Sequence, residues 1–428
     1  PIPPKCAARN EPATPMTTRF ALARTLLTGV ALIALCGGMQ GTLLGVRASL
    51  EGFSLDAIGF IMSAYYAGFL LGAWLTPLSV AQVGHIRVFA ALSSMASVTI
   101  LLHATFVEPA WWYLFRLLSG FCFSGLYLVA ESWLNAVSSN ENRGRYLAAY
   151  MFTIALGFIA GQAVVNLWPP NGFEPFILAS VILSVAMIPV LLSSIAAPPI
   201  EFSEHLHLAR FIRATPLGAV AVLVQGMTLG AIMWLTAVLG RELGYSLTAS
   251  SILVGTLMAG GLAVLIPIGR LSDVQDRRHT LLLLASAAAV AAFLVPAAAA
   301  FGNFWLLAIM LFLVGGAVQP MYSVSISIIN DQLNSHQILS ASSGIILING
   351  VGGLLGPLLG ARAMSLFGPP SLYYFVAALN ALLIGFTLYR MRVRPPVASD
   401  VPSELTAVVM PTSQVVVANA MDEADSGE

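Results

Sequence analysis

Two ionised side chains stand where the sequence offers almost no others. Arg116 and Glu131 lie inside one apolar run, about 112–135, both away from its ends. A charged group in hydrocarbon costs at least ~2.5 kcal/mol, so it faces a protein interior or a wet cavity. On a helix, Arg116, Gly120, Ser124, Tyr127, Glu131 and Asn135 fall within one stripe about 100° wide. At ~1.5 Å per residue, Arg116 and Glu131 are about 22 Å apart along it, too far to pair. Glu131 is the candidate for proton coupling, because a carboxylate held out of water can trade its charge for a proton. The alternatives are a structural anchor beside Arg143 or Arg145, or direct contact with a substrate. Arg116 can brace its helix through backbone carbonyls, or offer charge to an anionic cargo or a relay.

Neutral polar residues inside the apolar runs are candidates to line a substrate cavity. They are Tyr127, Gln40, Gln225, Gln319, Tyr322 and Asn349, with Tyr65 and Tyr66 as weaker ones. Taken singly, such a residue more often serves an interhelical hydrogen bond than a ligand. Trp111, Trp112, Trp168, Tyr373, Tyr374 and Tyr389 sit near run ends, as an interfacial aromatic belt requires. Cys6, Cys36 and Cys122 supply neither a disulfide framework nor metal-ligand spacing, so no metal site is expected.

These residues need elements to hold them. The chain has 428 residues, 58% hydrophobic and 9% charged, with 19 basic and 19 acidic side chains. A soluble domain of this length carries about 107 charged residues. Mean hydropathy is +0.87, the value of an integral membrane protein. The only lysine is Lys5, in a segment without glycine, so no phosphate-cradling G-x-x-x-x-G-K-[ST] loop exists and no nucleotide or other cofactor is expected. Zero net charge argues against a nucleic-acid partner.

Apolar stretches of roughly 20 residues span a bilayer. Twelve such stretches are found: 26–47, 57–79, 88–107, 112–135, 146–167, 174–195, 217–239, 248–269, 280–300, 303–329, 339–360 and 371–390. No ten-residue alternation appears, which excludes a β-barrel. Pro77, Pro189, Pro267, Pro320 and Pro357 mark kinks or ends. Alternating the spans places fifteen basic residues on the side of the termini and three on the other. By the positive-inside rule both termini are cytoplasmic, and Arg116 belongs to the outer half of the membrane.

A polar break divides the spans six and six. The halves align at an offset of 195: Gly120, Tyr127 and Asn135 on Gly315, Tyr322 and Asn330, and Gly157 and Gly161 on Gly352 and Gly356. These glycines are candidates for close helix packing. The second half keeps the neutral positions of the stripe and loses both charges, so the halves are functionally unequal. The expected organisation is a disordered N-terminus 1–24, a six-helix half 25–195, a cytoplasmic linker 196–216, a six-helix half 217–394 and a disordered acidic tail 395–428. The fold class is all-α integral membrane, twelve helices in two repeated halves, and the substrate site of such an architecture lies near the midplane between them.

Gly269-Arg270-Leu271-Ser272-Asp273, then Asp276-Arg277-Arg278, is similar to the loop signature of the major facilitator superfamily. Arg116-x-x-x-Gly120 resembles its fourth-span arginine motif. Gly84-His85-Ile86-Arg87-Val88-Phe89, Glu131-Ser132-Trp133-Leu134-Asn135 and Asn142-Arg143-Gly144-Arg145 resemble the bacterial YcaD-type branch. The resemblance covers about 24–394. It implies transport by alternating access and a gating role for Gly84, Arg87, Gly269, Asp273, Arg277 and Arg278. In the first-half loop Ala81 and Gln82 replace the family's acid and arginine.

The expected protein is a secondary transporter of a small organic solute in a bacterial inner membrane, proton-coupled, with antiport favoured over symport. Its partners are the lipid bilayer, the solute and protons, and a monomer is expected. A membrane-embedded enzyme would need clustered His, Asp or Glu at one face, which six scattered histidines do not supply. A channel would need a charged pore ring, and a sensor without transport is the remaining alternative.

Overall fold

A computed structural model describes residues 16–138, 142–192, 208–333 and 335–393. Helix is the only extended regular structure among them. In chain order these are α1 Met16–Leu50, α2 Leu55–Val83, α3 His85–Thr105, α4 Pro109–Val137, α5 Arg143–Val164 and α6 Glu174–Leu191. There follow α7 Leu208–Ala214, α8 Pro216–Glu242, α9 Leu247–Val274, α10 Arg277–Ala300, α11 Phe304–Val318, α12 Met321–Asn330, α13 Ser335–Phe367 and α14 Ser371–Val393. Twelve stretches are long and apolar enough to cross a membrane, α11 and α12 together forming the tenth.

Local chemistry sets the boundaries. Ser54 accepts from Ala57 N at 3.2 Å and caps α2, and Ser246 does the same for Ala249 N and α9 in the second half. The tenth span is broken at Gln319–Pro320, where the proline ring has no N–H to continue the ladder. Pro77, Pro189, Pro267 and Pro357 stay inside continuous helices. Gly84 turns α2 into α3 with φ 86°, a left-handed conformation that strains any L side chain. Two expected boundaries move. The first helix reaches back to Met16, because residues 16–24 contain neither proline nor glycine to stop it. Part of the linker, 208–214, is helical as α7. Residues 1–15, 193–207 and the acidic tail lie outside the described residues.

The halves are built alike. A Cβ on Gly120 of α4 would strike the Tyr65 carbonyl of α2, and one on Gly315 of α11 would strike the Leu257 carbonyl of α9. Gly157 and Gly161 hold α5 against α1 near Ala34 and Leu35, while Gly352 and Gly356 hold α13 against α8 near Leu223 and Met227. Carbonyls and helix backbones approach this closely only where no side chain intervenes. Large apolar side chains such as Phe60, Phe152, Ile266, Phe293 and Leu382 remain exposed, the outer surface of a molecule solvated by lipid.

Between the halves, α1 packs on α8, α2 on α13 and α5 on α9. Polar contacts tie the first two pairs, and they tie the turn that follows α5 to α9. Ser49 donates to Glu242 at 2.6 Å, Arg362 and Ser365 donate to Asp56 at 3.0 and 3.2 Å, and Asn166 donates to Ser251 at 2.8 Å. All lie toward the membrane face remote from the termini. Among the described residues, the halves are thus sealed on that far side.

Candidate functional site

Below this seal lies a cavity of about 70 Å³. Its walls are Tyr65, Tyr66 and Phe69 of α2, Tyr127 of α4 and Phe158 of α5 from the first half, and Met233 and Trp234 of α8 and Asn349 of α13 from the second. The stripe on α4 brings Tyr127 here, and the glycines of α8 and α13 let Asn349 approach Gly226. Trp234 crosses the seam and fills the space left by Gly41 of α1, where a Cβ would meet its ring at 2.5 Å.

Arg116 lies one layer behind this wall. It is wholly buried, and its guanidinium carbon stands 4.5 Å from the Tyr65 ring centre and 4.6 Å from that of Trp234. The two rings are themselves 5.0 Å apart. Nη1 donates to Gln40 Oε1 at 3.3 Å, while Nε and Nη2 have no hydrogen-bond partner among the described residues. A desolvated cation over aromatic faces gains about 2 kcal/mol or more. Tyr65 belongs to the first half and Trp234 to the second, so this cluster bridges them.

The residues expected at a cavity therefore separate. Tyr127 and Asn349 line it. Gln40 and Gln225 stand behind, the first on Arg116 and the second accepting from Asn349 Nδ2 at 2.8 Å. Gln319 donates to the Leu257 and Met258 carbonyls at 3.1 and 3.4 Å and steadies the break at Pro320. Tyr322 is buried on α12, within electrostatic reach of Glu131 on α4, which is itself 1% exposed. A carboxylate of one half thus lies near a phenol of the other.

Toward the termini, Arg87 is exposed at the start of α3. Its neighbour His85 is buried, with Nε2 3.2 Å from Ser132 Oγ and its ring 6.3 Å from Trp133. Two strings carrying the family resemblance, Gly84-His85 and Glu131-Ser132-Trp133, therefore meet across α3 and α4. In the second half the expected loop contracts to Gln275–Asp276, because Gly269 and Asp273 continue α9 and Arg277 and Arg278 open α10. Arg277 donates to Asp331 and to the Ser327 carbonyl, the latter at 3.2 Å. Burial pushes the Asp331 carboxyl up from its ordinary range, and Arg277 beside it pulls it back part of the way. The Asp273 side chain lies outside the described residues. In the aromatic belt, Trp112 and Tyr373 are buried instead of interfacial. The Trp112 indole donates to the His103 carbonyl at 3.1 Å, and the Tyr373 hydroxyl lies 2.8 Å from Thr236 Oγ1.

Sequence reasoning missed Trp234. Its signal was present: it is a tryptophan in the middle of a span, where the belt has no use for one. Tyr65 and Tyr66 line the cavity as well, and a lone tyrosine in a sequence says nothing of the ring it will face.

Comparison with known proteins places this arrangement. Residues 217–420 match the model of the Major Facilitator Superfamily. The uncharacterized MFS-type transporter YfkF of Bacillus subtilis is 28% identical over 360 residues, 81% of this chain and 90% of that protein. An uncharacterized MFS-type transporter of Enterobacter sp. is 25% identical over 87% of this chain and 97% of its own, and YcaD of Shigella flexneri is 24% identical over 84% and 93%. The fold is similar to the crystal structure of the nucleoside transporter NupG, with TM-score 0.69 at 14% identity over 89% of this chain and 100% of that one. It is also similar to a bacterial homologue of the lysosomal transporter Spinster in an inward-facing and unoccupied conformation. There the TM-score is 0.66 at 13% identity, over 96% of this chain and 98% of that one.

Proposed function

We propose that this chain is a protein of the major facilitator superfamily and that it moves a small organic solute across a bacterial inner membrane by alternating access. One observation carries the reading: an aromatic cavity between two like halves, joined across the seam on one side of it. With both termini cytoplasmic, as arginine placement requires, the seal is periplasmic and the conformation faces inward. The solute enters or leaves as the halves rock about the cavity. Proton coupling, with antiport favoured, falls to Glu131, a buried acid on the stripe that also carries Arg116 and Tyr127. Arg87, Arg277 and Arg278 serve the gate on the cytoplasmic side. The unit is a monomer, because the seam and cavity are complete within one chain.

Cross-linking tests the reading. Cysteines at Ser49 and Glu242, in a background lacking the native cysteines, are joined across the seam. Counterflow of a radiolabelled solute panel in proteoliposomes should stop when they are linked and return on reduction. Counterflow of a panel solute that ignores the link would end the alternating-access reading, and a panel wholly without movement would end the transport reading.

A further inference from the structure

The cavity's own chemistry defines its cargo. Asn349 has two N–H donors and one carbonyl. Nδ2 donates to Gln225 Oε1 at 2.8 Å and to the Val222 carbonyl at 3.4 Å. Turning the amide over would set its oxygen against the Val222 carbonyl, so the orientation is fixed by its neighbours. Both donors are committed, which leaves the Oδ1 acceptor without a hydrogen bond among the described residues, on a side chain at the cavity wall. The remaining walls are mostly aromatic rings, Tyr127 among them, with the apolar side chains of Leu229, Met233 and Ile346 beside them.

An aromatic box ordinarily attracts cations. Here Arg116 already occupies a face of Tyr65 and of Trp234 at 4.5 and 4.6 Å. It covers one face of each of these two rings and repels a second positive charge in a low-dielectric interior. Among the described residues, no ionised side chain lines the cavity to hold an anion in its place. Resting on the transport reading above, we propose that the cargo is a neutral, planar aromatic molecule with an N–H or O–H donor. It stacks among the rings and donates to Asn349 Oδ1. Lipophilic cations are rejected by Arg116.

Three radiolabelled probes of one ring size test this: 2-naphthol, which has a donor, 2-methoxynaphthalene, which has none, and N-methylquinolinium, a cation. Their binding to the full chain in nanodiscs is read by equilibrium dialysis, with empty nanodiscs subtracted. The wild type should hold 2-naphthol about tenfold more tightly than either other probe, as one unmatched buried acceptor predicts. Asn349→Leu should erase the advantage over the ether without weakening the ether. Arg116→Gln should strengthen N-methylquinolinium about tenfold. The wild-type ranking decides the matter even if neither variant folds. Equal binding of naphthol and ether, a cation bound as tightly as naphthol, or no binding at all overturns the proposal. Binding is read without transport, so a wrong ranking leaves alternating access untouched, and absent counterflow leaves the ranking standing.

Discussion

Glu131→Gln removes a charge and keeps the side chain's shape and volume, which makes it the sharpest change available at a single position. In proteoliposomes, uptake driven by a pH gradient should fall to the level seen without one, while exchange of solute for solute continues. A variant that responds to the gradient as the wild type does would remove coupling from this residue. Gly84→Ala tests a backbone instead of a charge. Its φ of 86° should cost the folded state about 1–2 kcal/mol, seen as a lower melting temperature of the detergent-solubilised protein. Arg116 and Glu131 were legible as special from type and place alone, because charge within a long apolar run admits few explanations. What each one faces was not legible. The guanidinium sits against rings from α2 and α8, and no local pattern encodes a contact between residues so distant in the chain.

Helix pairing is where the internal repeat becomes physical. Gly120 and Gly315 occupy equivalent crossings, each against a backbone carbonyl of the span two earlier. Gly120→Val and Gly315→Val should therefore destabilise to a similar degree, by about 1–3 kcal/mol or more, since backbone cannot yield as a side chain does. Gly385→Ala, on an open face of α14, should be neutral or stabilising by up to about 1 kcal/mol. Thermal unfolding of the three variants checks this, and a marked difference between the first two would deny the equivalence. The repeat was readable because glycine leaves a trace wherever two helices touch. The break at Pro320 was readable as a kink or an end, and the withdrawal of Trp112 and Tyr373 from the interface was not. Their positions near span ends suit a belt, yet the partners that bury them, His103 and Thr236, come from other helices.

For the molecule as a whole, the strength of the far-side seam sets how readily the halves part. Its charged contact, Asp56 with Arg362, is well exposed and should contribute less than about 1 kcal/mol. Its aromatic contact, Trp234 over Arg116, is buried and worth about 2 kcal/mol or more. Spin labels at the exposed far-side positions Glu108 and Phe301 would report the distance between halves. Trp234→Leu should raise the far-side-open population relative to closed by about thirtyfold, and Asp56→Asn by less than about fivefold. A reversed order would mean that the charge and not the ring holds the seam. Run length, arginine placement and small-residue spacing are local quantities that need no partner, and they suffice to read twelve membrane crossings in two repeated halves. Only the packed helices put the seam on the far side, set Arg116 behind the cavity instead of within it, and commit the Asn349 amide donors to α8. Each of these depends on which side chains of separate helices exclude lipid and water together, and that is settled only when the halves pack.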